Sequence, residues 1–135
     1  MTKFLLDTNI VSELRKPRPQ AAVILWLNHQ QDEQLFLSAV TLGELQAGIE
    51  LTRRQDTTKA REIESWLNRV EQSYQILPMD TRCFREWGRL MDRKPDYLLE
   101  DAMIAATARV HDLAVATRNE RDFRQLGVHI LNPFD

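Results

Sequence analysis

A chain of 135 residues has the size of one domain and is long enough to bury roughly two-thirds of its unfolded surface around a core. With 43% apolar and 28% charged residues it is neither disordered nor fibrous, and no window approaches the ~18 apolar residues of a membrane span. One cysteine excludes an internal disulfide, and only four apolar residues precede Asp7, too few for a signal peptide or anchor, so a cytoplasmic location is expected. A formal net charge of -2 argues against a nucleic-acid binder of the basic type unless several acids are gathered around a cation.

The order of elements follows from periodicity and punctuation. Phe4 to Leu6 is a short apolar strand that runs into Asp7, and Ile10 to Lys16 reads as a helix stopped by Pro17 and Pro19. Gln20 to Gln31 is an amphipathic helix carrying Ala22, Val23, Leu25, Trp26 and Leu27, and Leu35 to Val40 alternates as a second strand. The next helix is expected to start at Thr41 as its N-cap, with Glu44 completing a capping box and Leu42, Leu45 and Ile49 forming the apolar stripe. Gly43, Ala47 and Gly48 suggest close packing on that helix, and a polar stretch from Arg53 to Lys59 leads to a helix with Ile63, Trp66, Leu67 and Val70 at 3,4 spacing.

Gln75 to Met79 reads as a third strand broken near its end by Pro78, followed by a helix whose apolar face holds Cys83, Phe84, Trp87, Leu90 and Met91. Cys83 is expected to be a buried structural thiol. After the Lys94-Pro95-Asp96 loop, Leu98 to Val110 is a helix of small residues suited to lie close against a sheet. Leu113 to Thr117 is strand four, Asn119 to Leu126 a short helix closing at Gly127, and Val128 to Leu131 strand five. Strands alternating with helices predict an α/β fold with a parallel sheet covered on both faces, formed by residues 1–135 as one domain.

Asp7, Glu44, Asp101 and Asp122 each stand in a context that reads as the carboxyl end of a strand entering a helix, where open α/β sheets assemble sites from distant residues. None has a lysine or arginine spaced to pair with it. Oxygen ligands of this kind suit Mg²⁺ or Mn²⁺, which keep waters and substrate phosphate as further ligands and assist in-line attack on a phosphodiester. Local explanations exist as well: a capping box for Glu44, a weaker one for Asn119 and Asp122, and the helix dipole for Asp101. Asp7 has no such local explanation, and four gathered acids would repel one another without a cation. His29, His111 and His129 show no zinc-ligand spacing, and neither a Walker loop nor a dinucleotide glycine pattern is present. Arg15, Lys16, Arg18, Arg53, Arg54, Lys59, Arg118, Arg121 and Arg124 are candidates for phosphate contact.

Taken together, Lys3-Phe4-Leu5-Leu6-Asp7-Thr8-Asn9, Leu42-Gly43-Glu44-Leu45, Asp101-Ala102-Met103-Ile104-Ala105-Ala106-Thr107-Ala108 and Thr117-Arg118-Asn119 through Asp122-Phe123 resemble the PIN-domain nucleases. Within that family the chain is most similar to VapC-type toxins and their FitB-like relatives, over essentially its whole length. The resemblance implies a three-layer α/β/α domain with a five-stranded parallel sheet in the order 3-2-1-4-5, and RNA cleavage with Mg²⁺ or Mn²⁺ through metal-activated water. Carried over, Asp7 and Asp101 match the firmest metal ligands, Glu44 and Asp122 complete the catalytic acids, and Thr8, Asn9, Thr117 and Asn119, with Arg118 among them, match polar positions beside the pocket. Asn119 stands where some relatives have a further acid, and Glu100 is an extra acid without an assigned role.

The same resemblance implies a cognate small antitoxin, homodimers and larger toxin–antitoxin assemblies, contact with operator DNA only through the antitoxin, and no membrane. The helices between Leu45 and Val70 are the expected partner surface. Two rival readings remain at this stage: a catalytically weak subunit acting mainly in an antitoxin complex on operator DNA, and an aspartyl-phosphate enzyme, for which no lysine stands at a strand end in the later half of the sheet. The RNA target is not encoded in any module with a known base code.

Overall fold

The computed structural model describes residues 1–135. Five short parallel strands, β1 (Phe4–Leu6), β2 (Leu35–Ser38), β3 (Gln75–Leu77), β4 (Ala114–Ala116) and β5 (Ile130–Leu131), form one sheet in the order β3-β2-β1-β4-β5. The helices are α1 (Thr8–Glu13), α2 (Ala21–Asn28), α3 (Ala39–Arg53), α4 (Thr57–Ser73), α5 (Thr81–Met91), α6 (Leu99–Val110) and α7 (Glu120–Arg124). The expected three-layer α/β/α architecture and strand order are those observed.

Strand β1 is central, buried on both faces, and its two-residue period divides the core. Leu5 packs with Val115, Leu98, Ala102, Ala105, Phe123 and Leu126 on the side of α6 and α7, whereas Phe4 and Leu6 join Ile10, Val11, Val23, Leu37 and Val70 on the other. A smaller group, Ile49, Ala60 and Leu67, joins α3 to α4. The alanines of α6 explain its depth: Ala102, Ala105, Ala106 and Ala108 are fully buried, so the helix backbone approaches the sheet closely. Truncating a side chain such as Leu5 to alanine would cost about 2–5 kcal/mol through lost transfer energy and a residual cavity.

Register fixes which residues share the functional edge. Leu6 pairs with Leu37 on one side and with Ala116 on the other, so the carboxyl ends of the three central strands are level. One residue further, the Asp7 amide donates to Ala116 O at 2.9 Å and the Thr117 amide to Leu131 O at 3.0 Å. Asp7 and Thr117 therefore emerge side by side at the sheet edge.

Several local expectations are corrected. Strand β2 ends at Ser38, and α3 starts at Ala39 because the Ser38 hydroxyl caps it, accepting from Val40 N at 3.1 Å. Val40 is thus helical, Thr41 is buried inside the first turn, and no Thr41–Glu44 capping box exists. A β-carbon at Gly43 or Gly48 would meet nothing within 4 Å, so these glycines leave an open surface instead of a close helix contact. Pro78 lies beyond β3, Leu113 and Thr117 flank β4, and β5 is only two residues long. Helix α1 begins earlier than expected, at Thr8, and ends at Glu13 instead of Lys16, and α2 and α7 are shorter than expected at both ends, since packing and caps, not the apolar pattern alone, set the ends. Cys83 is buried as expected, but Phe84 is 46% exposed, set edge-on to Trp87 rather than buried with it. Gly127 ends the α7 region with φ +63°, where the Arg109 guanidinium would also crowd a β-carbon at 2.9 Å.

Candidate metal centre in an acidic cleft

Asp7 is the floor of the cleft. It follows β1 directly, is only 4% exposed, and caps α1, its Oδ1 accepting from Thr8 N at 2.8 Å. The capping role is a local reason for the charge that its sequence context did not reveal. Oδ2 accepts from the Thr117 hydroxyl at 2.8 Å and from Asn9 Nδ2 at 3.2 Å. Burial nevertheless pushes the Asp7 carboxyl above its ordinary value, against the pull of the Thr117 and Thr8 hydrogen bonds.

Of the four acids, only Asp7 directly follows a strand. Glu44 projects from the second turn of α3, Asp101 from the first turn of α6, which a 3₁₀ turn at Asp96–Leu98 precedes, and Asp122 from α7. Side-chain bridges tie them together. The Thr8 hydroxyl donates to Glu44 Oε1 at 2.9 Å and lies 3.0 Å from the Thr41 hydroxyl. Asn119 Nδ2 donates to Asp122 Oδ2 at 2.8 Å and to Asp101 Oδ2 at 3.2 Å, and the Asn119 amide donates to the Thr117 hydroxyl at 2.8 Å. Asn119 makes no side-chain cap on α7, so its amide is committed to the two carboxylates.

The field of the cluster is felt most at Asp101, whose carboxyl is pushed up to about 7 by desolvation and by the charges of Asp7, Asp122, Glu44 and Glu100. Glu44 is raised as well, chiefly by desolvation and then by Asp7 and Glu100, against the Thr8 hydrogen bond. Glu100 thereby acquires a role as the fifth charge of the cluster. None of these five acids makes an ion pair; the protein's salt bridges use other carboxylates.

The cleft, ≈ 430 Å³, is lined by Asp7, Thr8, Asn9, Glu44, Asp101 and Asn119, and also by Ser12, Glu13, Lys16, Arg118 and Phe134. Over residues 4–128 the chain matches the model of the PIN domain. It belongs to the PIN-domain family. This PIN domain is 36% identical to "VapC ribonuclease Y4jK" of Sinorhizobium fredii, with 98% of each chain covered, and 33% identical to "Toxin FitB" of Neisseria gonorrhoeae, covering 97% of this chain and 98% of that one. Among solved structures it is similar to FitAB bound to an IR36 DNA fragment, with a TM-score of 0.85 and 29% identity over 98% of this chain and 96% of that chain.

All nine residues expected at the site of the PIN domain lie in or beside this one cleft. Arg118 N donates to Asn9 Oδ1 at 3.3 Å, and its guanidinium sits 4.6 Å from the centre of the Phe134 ring. The sequence reading did not single out Ser12, Glu13 or Phe134, and it placed Lys16 only among general phosphate contacts. Glu13 is buried, pairs with Lys16 Nζ at 2.9 Å and accepts from Gln20 N at 2.9 Å; the Lys16 bond, then the Gln20 bond, hold it below the usual carboxylate range. The spacing of Asn9, Ser12, Glu13 and Lys16 along one helical face was the available signal. Among the proposed phosphate contacts, Lys16, Arg53 and Arg124 are already ion-paired.

The donor set fits a hard divalent cation, since its carboxylates offer only oxygen and none is ion-paired to a lysine or arginine. As the side chains stand, no three acids, histidines or cysteines converge tightly enough to hold one ion together. Mg²⁺ commonly takes only one or two carboxylates directly and completes its shell with water and phosphate, so a convergent triple is not required. On α3 and α4 most apolar residues pack inward between the two helices, while Leu51 remains exposed. No helix is long and apolar enough to cross a membrane.

Proposed function

We propose that this single-domain chain is a Mg²⁺- or Mn²⁺-dependent endoribonuclease, the toxin of a toxin–antitoxin pair acting in the cytoplasm. The observation that carries the reading is the unpaired carboxylate cluster, in which desolvation and then four acidic neighbours push the Asp101 carboxyl up to about 7. Evolution of a stable fold alone gives no reason to gather such charge at a sheet edge, whereas cation binding does. Membership in the PIN-domain family and the names of its ribonuclease and toxin relatives support the same conclusion.

Asp7 and Asp101 would be the principal metal ligands, with Glu44 and Asp122 completing the acidic set. A divalent cation bound there would supply an acidified water at neutral pH and offset negative charge on the phosphodiester. The chain's own groups do the positioning. Thr117 and Asn9 hold the Asp7 carboxylate in one orientation, Thr8 holds Glu44, and Asn119 spans Asp101 and Asp122. Arg118, stacked on Phe134 and free of any carboxylate partner, is placed to take a phosphate at the mouth of the cleft.

The partner reading follows the same family. A small antitoxin would cover the cleft, with homodimers and larger assemblies reaching operator DNA through the antitoxin, as the DNA-bound FitAB relative suggests. The test is incubation of the purified chain with total RNA plus Mn²⁺ or chelator, followed by mapping of new ends. Cleavage should require metal, leave a 3′-hydroxyl and a 5′-phosphate, and disappear with Asp7→Asn. Full activity in chelator would overturn the metal-dependent reading, and no cleavage of any RNA would favour a catalytically weak binding subunit.

A further inference from the structure

A second charged concavity lies on α5 and α6, away from the acidic cleft. Arg82, Arg85, Glu86 and Arg89 of α5 and Arg109 and Val110 of α6 line a hollow of ≈ 430 Å³. Arg82, Arg85 and Arg89 follow 3,4 spacing, so they share one face of α5 and step along it by ~4.5 and ~6 Å. Four arginines and one carboxylate therefore line the same hollow.

That carboxylate is an organiser. Glu86 accepts from Arg109 Nε at 2.7 Å and from Arg89 Nη1 at 3.1 Å, while Arg109 Nη1 donates to Gly127 O at 2.8 Å. Two arginines are thus held in place, and Arg82 and Arg85 make no ion pair at all. Asp80 and Asp92 flank the ends of α5. Asp80 accepts the cap bond from Cys83 N at 3.0 Å, and its carboxyl is held low first by that bond and by the Cys83 side chain, with His111 and Arg82 contributing charge. Asp92 borders a shallow extension of the hollow beside Arg85 and Arg89. Within the hollow itself the positive charge is in excess, on a protein whose formal net charge is -2.

The placement has a consequence for a polyanion. Asp101 and Arg109 lie at opposite ends of α6, ~12 Å apart along its axis. An RNA strand meeting only the acidic cleft is repelled by it, so phosphates on either side of the bond being cut need a cationic seat within a few nucleotides. A row of guanidiniums with unsatisfied donors provides one, and a helix-length row fits repeating phosphates better than a single small anion.

We propose that the Arg82–Arg85–Arg89–Arg109 hollow is a docking site for the RNA backbone, holding phosphates of the strand whose scissile bond lies in the acidic cleft. The proposal rests on the ribonuclease reading for its purpose, but its binding test does not require cleavage. The full chain carrying Asp101→Asn is titrated in chelator against a fluorescein-labelled, mixed-sequence single-stranded RNA of about 30 nucleotides, with anisotropy as the readout. Adding Arg82→Ala and Arg85→Ala should weaken binding at least fivefold and make the dependence of log affinity on log salt shallower by about 1.4, since each lost contact to a single strand contributes ~0.7. Lysine at both positions should restore most of the affinity. In the otherwise unaltered enzyme, the alanine pair should raise KM for the long RNA and leave kcat/KM for a four-nucleotide substrate unchanged.

An unchanged affinity and salt slope would overturn the proposal even if the enzyme cleaves RNA. Loss of binding only to an acidic peptide such as oligo-glutamate, with RNA binding intact, would likewise overturn it and mark the hollow as a protein contact. Weakened RNA binding by a protein that cuts no RNA would uphold the docking site while removing the ribonuclease reading. Both arginine side chains project from an exposed helix face, and a melting curve of the alanine pair checks that the fold is retained.

Discussion

The Arg118 guanidinium lies 4.6 Å from the centre of the Phe134 ring, which seats the acidic cleft's unpaired cation on the last aromatic residue of the chain. The seat is itself anchored: Asn132 Oδ1 accepts from Phe134 N at 2.9 Å and Asn132 Nδ2 donates to Glu120 Oε2 at 3.1 Å. A cation–π contact at such a site contributes about 0.5–1 kcal/mol. Phe134→Leu, which keeps an apolar contact but removes the ring, should therefore lower kcat/KM for RNA about two- to fivefold. Arg118→Ala should lower it about tenfold or more, equivalent to ~1.4 kcal/mol. Equal rates for wild type and Arg118→Ala would remove Arg118 from substrate binding.

Asp101 should make the metal-free protein less stable as pH rises. Its folded carboxyl titrates near 7, above the ordinary value of 3.8, so between those values the folded state holds a proton that the unfolded state has lost. The penalty is absent below about pH 4, grows through the interval, and is complete above about pH 7. Asp101→Asn should flatten this slope and melt higher than wild type at pH 8 in chelator, because an amide oxygen can still accept from Asn119. Melting curves from pH 4 to 8 check the sign; a lower melting temperature for the variant at pH 8 would show that the Asp101 charge serves α6.

The same titration competes with cation binding, because a ligating carboxylate must be ionised. The apparent affinity for Mn²⁺ should weaken as pH falls below about 7, by up to tenfold for each pH unit while Asp101 controls it. Calorimetric titration at pH 6, 7 and 8 measures this directly. Affinity independent of pH over that range would mean that Asp101 is not a ligand.

Thr117→Val is close in shape and removes the 2.8 Å hydrogen bond to Asp7 Oδ2. That bond opposes the burial that raises the Asp7 carboxyl, so its loss should push Asp7 further up and weaken Mn²⁺ binding. A hydrogen bond to a charged group contributes about 1.5–3 kcal/mol, so the melting temperature at pH 8 should also fall. Thr117 donates to Asp7 and receives the Asn119 amide; a variant with wild-type metal affinity would reduce Thr117 to a structural residue of the loop.

Glu44 is free of the cap role that its sequence context suggested, since Ser38 starts the helix. Glu44→Gln should leave α3 intact and keep an acceptor for the Thr8 hydroxyl, while slowing RNA cleavage about tenfold or more and raising the Mn²⁺ requirement. Ser38→Ala should do the opposite, costing about 1 kcal/mol of stability with little effect on metal dependence. Circular dichroism together with initial rates separates the two, and an unaltered rate for Glu44→Gln would withdraw Glu44 from the site.

The sequence by itself determined the order of strands and helices, the parallel sheet, and the four acids with their polar neighbours, because apolar periodicity and short motifs are local and survive without coordinates. The family resemblance carried the strand order. Tertiary structure decided the rest. The competition between Ser38 and Thr41 for the α3 cap depended on where β2 ends, and that end is set by pairing with β1 and β3. Asp7 reads as an isolated charge in the chain, yet it caps α1 by accepting from Thr8 N, and its bond from Thr117, 110 residues away, appears only when strands β1 and β4 align. Phe134 reaches the cleft by the path of the final residues, which leaves no local pattern, and Glu100, adjacent to Asp101 in the chain, acts on Glu44 only because the fold brings α6 near α3. The arginine hollow is similar: α5 alone shows three basic residues on a solvated face, and only the packing of α6 adds Arg109 and fixes Glu86 between them. Electrostatic fields add over distances that sequence separation does not measure, so charge clusters are decided by the fold even when each member is legible in the chain.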